Sequence, residues 1–492
     1  MTENPSPKRN PSQLTKTIIK NTIFVTMGSL LLKLLNFLFK VYVIRSLGDS
    51  RFGQYSTVLA FVGVFQIFAE FGITQYVMRE IARDRSKTQV YFWNLLAVRF
   101  LLAGLAMGWI TYGAVLAGYP PELVSGVFLL TFSFVLAAVE TPMSTVLIAH
   151  ERFDYITFKT VVGQLVFVVL GAVFVFAGWG YVWLIVASIL SILPQIGIEF
   201  WALSKHGWFP RQVQMHVRTW FHLLRSGLPF GVISLTLSIA FSIDTVMLKM
   251  FHPDEVVGWY NAAYGMVFFI VNLAGGFLDA MVPTLSRSYI DDPAAVQRWI
   301  KRSIKYIILL SLPAAAGGLA VAYPLVRLVL TPEYLPSALV LQILVWDMPF
   351  LMFAAFCGNV TTVVGLEKSA ARIYTINALV NIGLNYIFIP RYGMLAAAVI
   401  TVVTDLVSAI QFILLLHRQF QFKQLASLFG RALAASGVMV GVVWLLGQQN
   451  LYLMVSIGAA SYAILAIAFR IIQKEEWELV KRFVPRLKGG VQ

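Results

Sequence analysis

Apolar residues in this chain run in long blocks separated by short polar breaks. Fourteen blocks fall near 21–44, 53–77, 92–118, 123–149, 156–178, 181–203, 227–250, 257–285, 304–330, 336–365, 372–390, 393–417, 430–447 and 450–470. At about 1.5 Å per residue, each is long enough to cross about 30 Å of hydrocarbon as a helix. Lipid cannot satisfy backbone N–H and C=O groups, so blocks of this length must be helical. The pattern predicts an all-α polytopic membrane protein.

The first block is not uniformly apolar. Thr22, Thr26, Ser29, Lys33, Asn36 and Lys40 recur at steps of three and four, which places them on one helical face. The other faces carry Leu, Ile, Phe and Val. An ammonium at membrane depth costs about 2.5 kcal/mol or more, so it normally faces a partner or a wet cavity. Two lysines in line point to a cationic cavity wall and to an anionic cargo.

Composition sharpens this reading. The 492 residues are 59% hydrophobic and only 12% charged, with a mean hydropathy of +0.77. A net charge of +15 would fit a nucleic-acid partner if it were clustered. Instead it alternates with the connections, which excludes that partner. Arg79, Arg83, Arg85 and Lys87 share one side with Arg152, Lys205, Arg211, Arg218 and Arg225. Arg287, Arg298, Lys301, Arg302, Lys368, Arg418 and Lys423 follow on the same side. The opposite connections hold little Lys or Arg beyond Arg45, Arg51 and Arg391. The positive-inside rule then puts both termini in the cytoplasm and the protein in the cytoplasmic membrane. The single cysteine, Cys357, excludes an intrachain disulfide.

The chain repeats itself. Leu47–Tyr55 (LGDSRFGQY) has a counterpart in Phe251–Tyr260 (FHPDEVVGWY), Ala149–Arg152 in Gly365–Lys368, and Gly180 in Gly393. The pairs are offset by 205, 216 and 213 residues, in order. Six spans recurring in the same orientation imply a parallel repeat about an axis along the membrane normal. The expected organisation is a cytoplasmic tail (1–20), an N-terminal six-helix lobe (21–203) and an amphipathic linker (204–226). A C-terminal six-helix lobe (227–417), two additional helices (418–470) and an amphipathic tail (471–492) follow. His206–Leu224 and the tail read as stretches lying on the membrane surface.

The lobes differ in their buried charge. Lys33, Lys40, Glu70, Arg99 and Glu140 lie in the first, and Asp244, Lys249, Asp279, Asp347 and Asp405 in the second. Lys33, Lys40 and Arg99, with Asn36 beside them, are candidates to bind an anion in transit, with Glu70 and Glu140 as charge partners around one cavity. Asn377, Asn381 and Asn385 step by four along one span, and Thr401 and Asp405 lie one turn apart in the next. With Asp244 they offer hard oxygen ligands suited to a coupling Na⁺ or H⁺, against the alternative of interhelical hydrogen bonding. No GxxxxGK[ST] phosphate loop, G-x-S-x-G elbow or cysteine metal cluster occurs, so neither enzymatic hydrolysis nor a bound cofactor is expected.

Several segments resemble the polysaccharide transporter, or oligosaccharide flippase, family of the multidrug/oligosaccharidyl-lipid/polysaccharide exporter superfamily. They are Arg45–Tyr55, Phe71-Gly72 with Arg79-Glu80, Ile243–Leu248 leading to Val257–Tyr260, Pro283–Ser286 and Asn381–Gly393. The resemblance implies two six-helix lobes in a V around a central cavity, working by alternating access. It implies polyprenyl-diphosphate-linked oligosaccharides as cargo for surface polysaccharide biosynthesis, with membrane lipids, a glycan polymerase or glycosyltransferases as partners. The family's cationic cavity would map to Lys33, Lys40 and Arg99, and a cation site of some relatives to Asp244, Asn381, Asn385 and Thr401. Where those relatives carry a second acid in the eleventh span, this chain has Asn. A cation-coupled multidrug exporter of the same superfamily, and a non-transporting component or enzyme of glycan assembly, are the rival readings.

Overall fold

The computed structural model describes the backbone of residues 11–291, 293–417, 420, 422–445, 447 and 450–471. Side chains are described within these ranges except for 11–29, 233, 274, 276–295, 423 and 424. The side chains of Thr22, Thr26, Ser29 and Asp279, and residues 472–492 of the amphipathic tail, therefore lie outside the described residues.

Sixteen α-helices are present among the described residues. The first eight are α1 (Pro11–Phe65), α2 (Ile67–Glu70), α3 (Ile73–Arg83), α4 (Thr88–Leu116), α5 (Pro121–Ala149), α6 (Phe153–Phe176), α7 (Tyr181–Leu190) and α8 (Ile192–Lys205). Next come α9 (Val217–Phe251), α10 (Asp254–Asp291), α11 (Pro293–Val329), α12 (Ser337–Leu344) and α13 (Asp347–Val363). The last three are α14 (Glu367–Leu416), α15 (Lys423–Leu445) and α16 (Leu451–Ala468).

Ten helices are long and apolar enough to cross a membrane by themselves, and two bent pairs bring the number to 12. Two of these units hold two spans each. α1 breaks at Gly48 (φ 76°) and α14 at Gly393 (φ 55°), left-handed backbone that favours glycine. Dividing the helices at these breaks gives a helix for each of the fourteen apolar blocks.

The helices form two lobes. In the first, α4 packs on α5 and α6 on α7; in the second, α13 packs on α14, α11 on α12, and α15 and α16 on α11. α1 crosses to the other lobe, packing on α10 and α9. One apolar cluster spans the junction, joining Phe39, Val43, Ile44 and Phe52 to Leu248, Val257, Tyr260 and Tyr334. Large apolar side chains such as Leu105, Trp109, Phe176 and Leu445 point outward, as a lipid-facing surface requires.

Residues 217–224 are the opening turns of α9 and continue directly into the span. Asn94 of α4, fully buried, holds this region in place. Its side chain donates to the Gln214 carbonyl (2.8 Å) and accepts from the His216 N–H (2.8 Å) and Trp220 Nε1 (2.9 Å). Three bonded groups on one amide tie the linker to α4.

Candidate functional site

The repeat becomes a contact in three dimensions. Leu47–Tyr55 and Phe251–Tyr260 lie against each other at the charge-poor face, across the junction of the lobes. Gly53 packs on the Asp254 carbonyl, and its counterpart Gly258 packs on the Asp49 carbonyl, so close that neither has room for a β-carbon. Gln54 Nε2 donates to Asp254 Oδ2 (3.3 Å) and, reciprocally, Trp259 Nε1 donates to Asp49 Oδ2 (3.0 Å). Lys249 pairs with Asp254 at 2.6 Å. Equivalent residues of the two repeats thus exchange equivalent contacts about the pseudo-two-fold.

Behind this clasp lies a cavity of about 420 Å³ between the lobes. Asn36, Lys40, Tyr55 and Ser56 line it from the N-terminal lobe, and Ser242, Thr245, Asn261, Tyr264 and Gly265 from the C-terminal lobe. Among the described residues Lys40 is the one charged side chain in this lining, and none of them there is a carboxylate. The ammonium sits directly over Gly265, where a β-carbon would come within 2.8 Å of Lys40 Cε. Lys33, seven residues earlier on the same face, reaches across to the other lobe and donates to the Asn272 carbonyl at 2.6 Å. Asn36 Oδ1 accepts from Gln164 of α6. One turn of α1 away, Phe37 stacks on Phe269 with centroids 4.0 Å apart.

Arg99 and the two glutamates do not join this cavity. Arg99 is buried; its Nη1 donates to Thr74 Oγ1 (2.8 Å) and lies 3.8 Å from Glu70. Glu140 is turned to Lys159 of α6 instead. Lys159 also lies 2.6 Å from Glu199 of α8, and Ser144 bonds both glutamates. Lys33, Arg99, Glu70 and Glu140 therefore do not converge. Glu70 serves Arg99, and Glu140 serves a lysine that sequence reading had assigned no role. A signal existed: Glu140 and Lys159 lie at similar depth on consecutive antiparallel spans.

A second polar cluster fills the C-terminal lobe. Asp244 is buried, and both carboxylate oxygens are occupied. Asn385 Nδ2 donates to Oδ1 (2.6 Å), while the hydroxyls of Tyr260 (2.8 Å) and Thr401 (2.7 Å) donate to Oδ2. Asn381 Oδ1 accepts from Asn385 (2.9 Å), and Asn377 turns away to Gln411 (2.7 Å). Asp405 is one step removed, its carboxyl against that of Asp347. Asn385 Oδ1 and Asp347 Oδ1 are buried without a hydrogen-bond partner. Carboxylate, amide and hydroxyl oxygens gathered in one buried cluster are hard donors of the kind a monovalent cation takes. Among the described residues no group of three His, Cys, Asp or Glu side chains could hold a metal ion.

Two packed helical lobes with a cation-lined cavity at their junction define a polytopic membrane protein of the transporter type. Polysaccharide biosynthesis proteins match residues 18–289 as a family, and the MatE family matches residues 229–387. The chain is 21% identical over 463 residues to a Haloferax volcanii protein named a low-salt glycan biosynthesis flippase, covering 92% of this chain and 96% of that one. It is 23% identical over 399 residues to a Shigella flexneri protein named for O-antigen transport, covering 78% and 94%. Its fold is shared with the lipid II flippase MurJ in an inward closed conformation: TM-score 0.78, 13% identity, 91% of this chain and 99% of that one. An inward-facing multidrug resistance transporter gives a TM-score of 0.64 at 17% identity, over 79% and 94%. The chain belongs to the polysaccharide biosynthesis protein family.

Proposed function

We propose that this protein is a flippase that moves a lipid-diphosphate-linked oligosaccharide across the cytoplasmic membrane by alternating access, for surface polysaccharide biosynthesis. The observation that carries the reading is Lys40, an ammonium in an interlobe cavity whose lining, among the described residues, holds no acid to neutralise it. Water must be replaced as a diphosphate crosses hydrocarbon, and charge-assisted donors on a wet wall do this. Lys33 and Asn36 extend that wall along α1, and Arg99 acts as a structural charge behind it. The lipid tail stays in the bilayer while the headgroup crosses.

The clasp at the charge-poor face is the barrier of the closed state, and its release opens the cavity outward. Asp244, Asn381, Asn385 and Thr401 would hold a coupling Na⁺ or proton, whose binding would link the shape of the C-terminal lobe to an ion gradient. Asp405 and Asp347 form the adjoining acidic pair. The basic face is cytoplasmic and carries both termini. Glycosyltransferases supply the cargo and a polymerase receives it, so the activity is transport rather than catalysis.

Lys40→Ala and Lys40→Glu, reconstituted in vesicles with fluorescent lipid-diphosphate-oligosaccharide, test the reading. Translocation should fall at least tenfold for Ala and further for Glu. Wild-type rates at equal reconstitution would overturn it. The multidrug-exporter alternative predicts the opposite sign, since Lys40→Glu would then improve organic-cation efflux.

A further inference from the structure

A second basic cavity lies away from the one between the lobes. It is an open cleft of about 500 Å³ at the Lys/Arg-rich face, lined by Lys87, Tyr91, His216, Arg218, Thr219 and His222, together with Val90. Four of the seven lining residues are basic, and none is acidic. We infer that this cavity binds a phosphate ester or diphosphate, from a lipid headgroup or from a soluble ligand, at the basic face of the protein.

Its walls are built rather than incidental. Lys87, Val90 and Tyr91 come from the beginning of α4, and His216, Arg218, Thr219 and His222 from the beginning of α9. Asn94, fully buried, ties these two segments together through Gln214, His216 and Trp220. Gln89 Nε2 adds a bond to the Gln212 carbonyl (3.1 Å). From α3, the hydroxyl of buried Tyr76 meets His222 Nε2 at 2.9 Å and fixes that ring. Two acids lie nearby: Asp84 meets Lys87 at 3.5 Å in an exposed pair of the kind an arriving phosphate displaces readily, and Glu80 is paired with Arg83 at 3.3 Å. The guanidinium of Arg218 and the ammonium of Lys87 supply charge-assisted donors, and the Thr219 hydroxyl and the imidazoles supply further ones. Charges that only satisfy the positive-inside rule need no fixed arrangement; a cleft whose two walls are held together by hydrogen bonds is what distinguishes this cluster from them.

The inference stands apart from the transport reading. Full-length protein in phosphatidylcholine nanodiscs would be titrated with inorganic pyrophosphate by calorimetry. A parallel sample in discs containing phosphatidic acid would be assayed for retained lipid by native mass spectrometry. Lys87→Ala and Arg218→Ala should each weaken binding about tenfold, the size of one charge-assisted bond. Arg211→Ala, an equal charge change on the linker outside the cavity, should leave it unchanged. Pyrophosphate binding with this pattern supports a soluble ligand. Lipid retention with this pattern, without pyrophosphate binding, supports a headgroup. Binding that is absent, or that Arg211→Ala weakens as much as the cavity variants, overturns the inference. Wild-type translocation by the Lys40→Ala protein with this binding pattern intact would count against the Lys40 cavity alone.

Discussion

Gly258→Ala is the sharpest perturbation of the lobe junction. The new β-carbon would land on the Asp49 carbonyl oxygen and within 3.1 Å of its carbon. Both obstacles are backbone, so no rotamer change relieves the contact and the two repeats must separate. Overpacking of this kind costs about 1–3 kcal/mol. The cost falls only on the state in which the charge-poor face is closed. A shift of about 2 kcal/mol changes the ratio of closed to open molecules about thirtyfold. The sole cysteine, Cys357, is buried, so a reporter thiol at Ser56 in the cavity wall can be read against a silent background. A membrane-impermeant maleimide applied at the charge-poor face should label Ser56→Cys at least tenfold faster in the Gly258→Ala protein. Gly53→Ala should act alike, because the pseudo-two-fold gives it the Asp254 carbonyl as its obstacle. Gly108→Ala, with open space around it, is the control. Unchanged labelling in a stably folded Gly258→Ala protein would refute the closure argument.

Other substitutions separate the clusters. Lys159→Met should destabilise the N-terminal lobe by about 3–5 kcal/mol, because it strands Glu140 and Glu199 without their shared cation; thermal unfolding in detergent reads it, and wild-type stability would show the triad to be dispensable. Asp244→Ala leaves the donors of Tyr260, Asn385 and Thr401 without an acceptor, a loss of about 2–4 kcal/mol by the same measurement. Asp244→Asn should also abolish any stabilisation by Na⁺ over K⁺, and a retained Na⁺ effect would remove this residue from the cation site. Gly265→Leu should displace Lys40 from its seat and slow translocation while leaving the melting temperature within a few degrees of wild type.

Much of this architecture could be read along the chain. Hydrocarbon imposes a minimum length on each apolar block and forbids unpaired backbone, so the number of spans follows from one-dimensional spacing. The all-helical class and the polar stripe through Lys33 and Lys40 follow the same way. Charge in short connections follows the field and translocation rules of the membrane, and along this chain it divides them into a basic and a charge-poor set. Duplication was visible because equivalent turns keep their glycines and aspartates.

Which polar group meets which was decided only in three dimensions. Glu140 found Lys159 rather than the cavity cations, Asp405 found Asp347 rather than Asp244, and Lys40 found a glycine. Spacing gives depth and helical face, but not the lateral order of the helices or their rotation about their own axes. Those follow from how ridges and small residues interlock across the whole bundle. The reciprocal fit of Gly53 and Gly258 is the plainest case: two turns 205 residues apart are alike in sequence, and only packing of the lobes sets them face to face.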